Sequence, residues 1–180
     1  MNLEQLAGKL PGYAKDLKLN LSSVLRQAEL TGQQTWGTAV ACAAASRNAE
    51  LTAAIFGEAA QQLSPQAFEA AKAAAAIMGM NNVYYRFLHM TDNEKYRTIP
   101  ARLRMQIIRG HGSDPVDFEL WCAAVSAINN CHVCAASHEK VVREKGVPEE
   151  TILAAVRIAS VLHAIAGVLD TEAAAPAQSA

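Results

Sequence analysis

Apolar residues recur along this chain at helical spacing, and no stretch alternates with the two-residue period of a half-buried strand, so the sequence predicts an all-α, multi-helical fold. Residues 2–30 read as two helical pieces broken at Pro11-Gly12, with Leu17, Leu19, Leu21, Val24 and Leu25 supplying apolar contacts. Thr31-Gly32 punctuates the chain. A helix then runs through Trp36 and Val40 to about Arg47, where Asn48 ends it, and Leu51, Ile55 and Ala59 mark another from Leu51 to Leu63. Ser64-Pro65 is a start signal, Ser as the N-cap and Pro at the first helical position, for an Ala-rich helix to Gly79. The aromatic segment NNVYYRFLHM continues in helical form, followed by a polar stretch over residues 91–98. Pro100 opens a short helix that ends near Gly110-His111-Gly112.

Asp114-Pro115 repeats the start signal, and Asp117 adds negative charge to that first turn. This helix carries Glu119 and Trp121 and extends to about Asn129. Asn130 is placed to cap the next helix, with Cys131 at its first position and Gly146 as its stop; Lys140, Arg143 and Lys145 oppose its C-terminal dipole. Pro148, Glu149 and Glu150 open a long apolar helix to Leu169. Residues 171–180 lack an apolar face and are expected to form a disordered tail.

A length of 180 residues fits one domain, taken as residues 1–170. Within it two halves, about 31–90 and 114–170, can be laid over each other. Trp36 and Val40 fall on Trp121 and Val125 at a shift of 85, and Ser64-Pro65 falls on Val147-Pro148 at a shift of 83. The shared order, a Trp-bearing helix, a second helix and a proline-started helix, predicts a degenerate internal duplication.

Composition agrees with helices: alanine supplies many of the 51% hydrophobic residues, and it favours helix formation and close approach. A net charge of −1 and the absence of a basic stripe, Arg102, Arg104 and Arg109 being local, leave no electrostatic footprint for nucleic acid or an anionic membrane. The N-terminal sequence has no apolar signal region, and the run Val161 to Leu169, which includes His163, is too short to span a bilayer. A soluble, cytoplasmic protein is expected.

Four cysteines do not make a secreted disulfide framework here. Cys42 and Cys122 sit among apolar neighbours and read as small buried hydrophobes. Trp36 and Trp121 read as core anchors, His89, His111 and His163 as structural, and Tyr84, Tyr85 and Phe87 as packing or a subunit interface. Reactive groups concentrate in one span, ELWCAAVSAINNCHVCAASH, which holds Glu119, Cys131, Cys134 and His138. On a helix Cys131 and Cys134 lie about 60° apart, and His138, four residues beyond Cys134, shares their face. Glu119 comes from the preceding helix, so the chain must fold back near Asn129-Asn130.

A cysteine pair at a helix start suits thiol chemistry, because unpaired N–H groups and the dipole stabilise a thiolate. A nearby His accepts a proton, and a carboxylate bonded to that His orients its ring. The second thiol can resolve a sulfenic acid by forming a disulfide within the helix. A redox dithiol is therefore the leading reading. The alternative is a zinc site drawn from both sulfurs, His138, Glu119 and His132, though structural zinc usually recruits a second CxxC or HxxxH, which this sequence lacks. His132 either tunes the thiols or points to solvent. Under the overlay, Gln34, Ser46, Ala49 and Ala53 occupy the places of Glu119, Cys131, Cys134 and His138, so the site occurs once per chain.

The constellation Glu119, Cys131, Cys134, His138, followed by EKVVREKGVPEE, resembles the alkyl hydroperoxidase D family, within the broader carboxymuconolactone decarboxylase-like superfamily, over nearly the whole chain. The resemblance implies a homotrimer of duplicated helical subunits and an antioxidant, thiol-dependent peroxidase acting on alkyl hydroperoxides. Carried over by position, it makes Cys134 the peroxidatic thiol that forms a sulfenic acid and Cys131 the resolving thiol and proton donor. His138 and Glu119 become the proton relay. It further implies no bound cofactor, with dihydrolipoamide as external reductant, supplied by a dihydrolipoyl acyltransferase and its dihydrolipoamide dehydrogenase. Electrons would pass on to a peroxiredoxin, alkyl hydroperoxide reductase C. The histidine directly after Cys131 departs from members that carry one directly before the second cysteine. Retention of both thiols argues against the lactone chemistry of the decarboxylase branch. An electron-transfer adaptor with little peroxidase activity of its own would use the same dithiol.

Overall fold

Short polar side chains cap the starts of five helices of this chain. In the computed structural model, which describes residues 1–175, Asn2 and Thr31 each form a reciprocal capping box, with Gln5 and Gln34 respectively, at the starts of α1 (Leu3–Gly8) and α3 (Gly32–Ser46). Between them a 3₁₀ turn at Gly12–Ala14 leads into α2 (Lys15–Val24), so the predicted break at Pro11-Gly12 is present. Asn48 accepts from Leu51 N at 2.9 Å and starts α4 (Ala49–Ala59). It was expected to end α3, but that task falls to Arg47, in the left-handed region at φ 63°.

Ser64 caps α5 (Pro65–Met90) by accepting from Ala67 N at 3.1 Å. The helix continues through Gly79 without a break. One glycine costs a helix about 1 kcal/mol, and here Ile77, Met78, Asn81 and Asn82 around it are buried and hold both sides. Pro100 does not open a helix: Ile99 before it is extended, as a residue preceding proline prefers, and Arg102 turns left-handed at φ 52°. Single turns form on either side instead, α6 (Lys95–Thr98) and α7 (Ile107–Gly110).

Asp114 caps α8 (Pro115–Ile128) as expected; α9 (His132–Glu144) and α10 (Glu149–Ala174) complete the chain. Helix α10 passes the expected end at Leu169, so residues 171–174 of the expected tail are helical, and 176–180 lie outside the described residues. No strand occurs among the described residues, in line with an all-α fold. Helices α3, α4 and α5 contain 15, 11 and 26 residues, and α8, α9 and α10 follow in the same order with 14, 13 and 26.

Helix α10 packs against α2, α3, α4, α8 and α9, burying Ile158, Leu162 and Ile165 completely. By length and composition it is apolar enough to cross a membrane, yet more than half of its most apolar window is buried among the other helices, as in a core helix. Helices α3 and α8 approach closely where Gly37 meets the buried indole of Trp121; a Cβ at Gly37 would overlap the ring. Nearby, the side-chain amides of Gln33 and Gln34 donate to the two oxygens of buried Asp117 at 2.7 and 2.9 Å, tying the first turns of α3 and α8 together. This brace and the Gly37–Trp121 contact fix the start of the helix that carries Glu119.

Two glycine substitutions should act with opposite sign. Gly37→Ala overpacks the Trp121 contact and should lower unfolding stability by about 2–3 kcal/mol. Gly57→Ala, exposed on α4 with open space around it, should raise it by about 0.5–1 kcal/mol. Urea titration with an unchanged m-value reads both; equal effects would contradict the packing described.

Candidate active site

Glu119 stands in the second turn of α8, a helix whose start is fixed by Asp114 accepting from Val116 N and Asp117 N at 2.8 and 3.0 Å. The far end of α8 turns sharply. Asn130 adopts φ 54°, its N–H donates to Ala127 O at 3.1 Å, and Cys131 N–H donates to Ser126 O at 3.0 Å. Asparagine tolerates this left-handed geometry better than other residues with a Cβ. Asn130 therefore closes α8, where the sequence had it capping α9. Cys131 itself takes the N-cap place, at φ −102° and ψ 88°, one residue earlier than expected relative to α9.

That register puts Cys131 just outside α9 and Cys134 inside its first turn. The two are joined as a disulfide, with Cα atoms 5.4 Å apart, and both are buried, Cys131 at 1% and Cys134 at 6% exposure. On reduction, a sulfur here lies at the positive end of a 13-residue helix, which favours the thiolate. His138 lies one turn beyond Cys134 on the same face of α9. Its Nδ1 meets Glu119 Oε2 at 2.5 Å, with the side chains 14% and 19% exposed, so the reversal at Asn129–Cys131 does bring Glu119 back onto α9. An ionised carboxylate only accepts; Nδ1 then carries the proton and Nε2 is left as an acceptor.

The remaining predicted positions sort clearly. His132 is exposed and sits edge-on to His89 of α5, ring centroids 5.9 Å apart, so His89 is isolated in sequence but not in space. His111 lies flat on Phe118, centroids 4.0 Å apart, with Nδ1 accepting from Ser113 N at 3.2 Å. Partial burial lowers its pKa, while the carboxylates of Glu119 and Asp114 oppose that shift. Its place beside Glu119 had no motif to announce it, only its position just before the start of α8. Asn82 and Arg86 of α5 also reach the α8–α9 turn and have no sequence signal at all. Among the described residues, no group of three or more His, Cys, Asp or Glu side chains is arranged to hold a metal ion.

Cys42 and Cys122 are buried and unbonded, as expected. Burial pushes both thiols well above their ordinary range, and the Glu119 carboxylate one turn away adds to the shift at Cys122. Both therefore remain protonated at neutral pH.

Known proteins resemble nearly the whole of this chain. The pattern of the Carboxymuconolactone decarboxylase family matches residues 95–177. Over 173 residues, 96% of this chain, the sequence is 64% identical to a Solibacter usitatus protein named Alkyl hydroperoxide reductase AhpD, covering 98% of that protein. It is 61% identical over the same share of this chain to the protein of that name from Acidobacterium capsulatum, covering 94% of it. The Rhodospirillum centenum protein of that name is 54% identical over 178 residues, 99% of this chain and 96% of that protein.

The buried thiols make stability fall on the alkaline side. In the unfolded chain they titrate near the ordinary value of 9.0, while the folded chain retains their protons. Their contribution is whole below that pH and is lost as pH rises past it, by up to about 1.4 kcal/mol per pH unit per thiol. Cys42→Ala should flatten the fall in unfolding free energy between pH 9 and 10.5; an unchanged slope would refute this origin.

Proposed function

The chain belongs to the family of proteins named alkyl hydroperoxide reductase AhpD, within the carboxymuconolactone decarboxylase family, and from that membership and the site geometry we propose that it reduces alkyl hydroperoxides through a dithiol–disulfide cycle at Cys131 and Cys134. The observation that carries this reading is the cysteine pair at the first turn of α9, one turn from the His138–Glu119 pair.

In the cycle, Cys134 loses its proton to His138, whose charge Glu119 offsets. The thiolate attacks the terminal peroxide oxygen. An S–O bond forms and the O–O bond breaks, and Cys131 protonates the departing alkoxide to give the alcohol. Cys134 is now a sulfenic acid, oxidised by two electrons. The Cys131 thiolate attacks its sulfur, the disulfide forms, and hydroxide leaves with the His138 proton as water. One hydroperoxide and two thiols thus become one alcohol, one water and one disulfide.

The burial of both sulfurs fits a slender dithiol as reductant, and dihydrolipoamide carried by a dihydrolipoyl acyltransferase has that form. Thiol–disulfide exchange returns Cys131 and Cys134 to thiols and closes lipoamide, which dihydrolipoamide dehydrogenase reduces again. The same dithiol can reduce a peroxiredoxin such as alkyl hydroperoxide reductase C, which makes the protein an adaptor as well as a peroxidase. Exposed Phe87, Tyr96, Ile99, Leu103 and Ile107 support self-association, for which the family resemblance implies a homotrimer, and free buried thiols fit the reducing cytoplasm.

Consumption of an organic hydroperoxide with dihydrolipoamide, followed with and without a peroxiredoxin, tests the reading. Cys134→Ser should abolish turnover, and Glu119→Gln should reduce it about 100-fold. Full activity in the serine variant would overturn the proposal, and turnover only when a peroxiredoxin is present would leave the adaptor role alone.

A further inference from the structure

Cys134 lies within α9, whereas Cys131 is tied to that helix only through its carbonyl, which accepts from Ala135 N at 2.9 Å. As the N-cap residue it stands outside the helix, and its place is set by the turn that precedes it. That turn is gripped from α5. Arg86 Nη1 donates to the carbonyl oxygen of Asn129 at 2.6 Å, and the Asn129 side-chain amide donates to Asn82 Oδ1 at 2.9 Å. Asn82 Nδ2 donates in turn to Ser126 Oγ at 2.9 Å, and Ser126 is the residue whose backbone carbonyl receives the Cys131 N–H. Asn82 and Arg86 are one helical turn apart on a single face of α5.

Such an arrangement asks for a reason. Asn82 is 1% exposed, and an amide buried that deeply costs about 1–3 kcal/mol if any partner is lost. Asn130 occupies the left-handed backbone region that asparagine tolerates, and this lets the chain reverse within one residue of Asn129. The guanidinium of Arg86 also meets the carbonyl end of α8, where positive charge is favoured.

We infer that Asn82 and Arg86 are positioning residues of the redox site: by fixing Asn129 they set where Cys131 stands for attack on Cys134. This rests on the dithiol cycle proposed above. The step concerned is the second one, in which the S–S bond forms, the S–O bond of the sulfenic acid breaks, and hydroxide leaves as water. Its geometry is demanding, because cysteines bridge only with Cα atoms about 4.4–6.8 Å apart and facing Cβ vectors. In the first step, attack of Cys134 on the peroxide, Cys131 acts only as proton donor to the departing alkoxide, a task one bridging water can carry, so that step depends on the turn far less than bond formation between the sulfurs does.

The clamp can be perturbed without emptying the core. Arg86 borders an open cleft of about 360 Å³ lined also by Ser46, Arg47, Val83, Asn130 and His163. The reduced full-length protein, its Arg86→Met, Arg86→Lys and Asn129→Ala variants would each be mixed with one equivalent of cumene hydroperoxide. Samples quenched with dimedone at successive times and weighed intact separate the Cys134 sulfenic adduct from the disulfide. The parent should pass to the disulfide with little adduct. Arg86→Met should consume peroxide in the first turnover within twofold of the parent but close the disulfide about tenfold more slowly, accumulating adduct. Arg86→Lys, which keeps charge and one donor, should recover most of the rate, and Asn129→Ala should lie between. Closure at the parental rate in Arg86→Met overturns the inference whatever its melting temperature, since a merely structural brace would lower only that. Should Arg86→Met not fold, parental closure in Asn129→Ala overturns it equally. A parent that yields neither adduct nor disulfide overturns the dithiol cycle itself, and this inference with it.

Discussion

The chain reversal between α8 and α9 is the constraint on which the site depends. Two backbone hydrogen bonds, from Asn130 to Ala127 and from Cys131 to Ser126, close one helix in the residues that open the next. Without that tight turn Glu119 and His138, 19 residues apart in sequence, would lie far apart along two separate helix axes. With it, the acid of one helix and the imidazole of the other share a hydrogen bond, and both cysteines sit at the positive end of α9. The rest of the molecule keeps the two helices at that angle: α10 and α3 pack behind α8, while α5 touches α8 and α9 together.

The position in α3 that the sequence overlay sets against Glu119 has a different task. Gln34, overlaid on Glu119, accepts from Thr31 N in a capping box and donates to Asp117. A neutral amide can do both at once, where a carboxylate could only accept. The residue at that place in α3 thus braces the two helix starts, while Glu119 in α8 faces the imidazole.

Helix starts with a single polar meaning were legible in the sequence, as Ser64 and Asp114 demonstrate. Asparagine was not, because it does two jobs. Asn48 was expected to end a helix and begins one; Asn130 was expected to begin a helix and ends one. Side-chain capping and tolerance of left-handed backbone are separate properties of the same residue, and only tertiary packing chooses between them. The site divides in the same way. Glu119, Cys131, Cys134 and His138 could be found because they lie within one span and their spacing matches helical geometry. His89, Asn82 and Arg86 reach that span from α5 through long-range packing that no local periodicity encodes, and His111 reaches it from the bend just before α8. No helix opens at Pro100 for a local reason: Ile99 keeps the extended conformation that a residue before proline prefers, although proline itself suits a helix start.

The spacing of the two cysteines has a mechanical consequence. Their Cα atoms, 5.4 Å apart across a single turn, already meet the reach of a disulfide. Closing a bond between residues that one turn of backbone already holds at that separation asks no helix to travel. In the cycle proposed above, the direction of exchange is then left to the relative reduction potentials of the sulfur pairs that meet there.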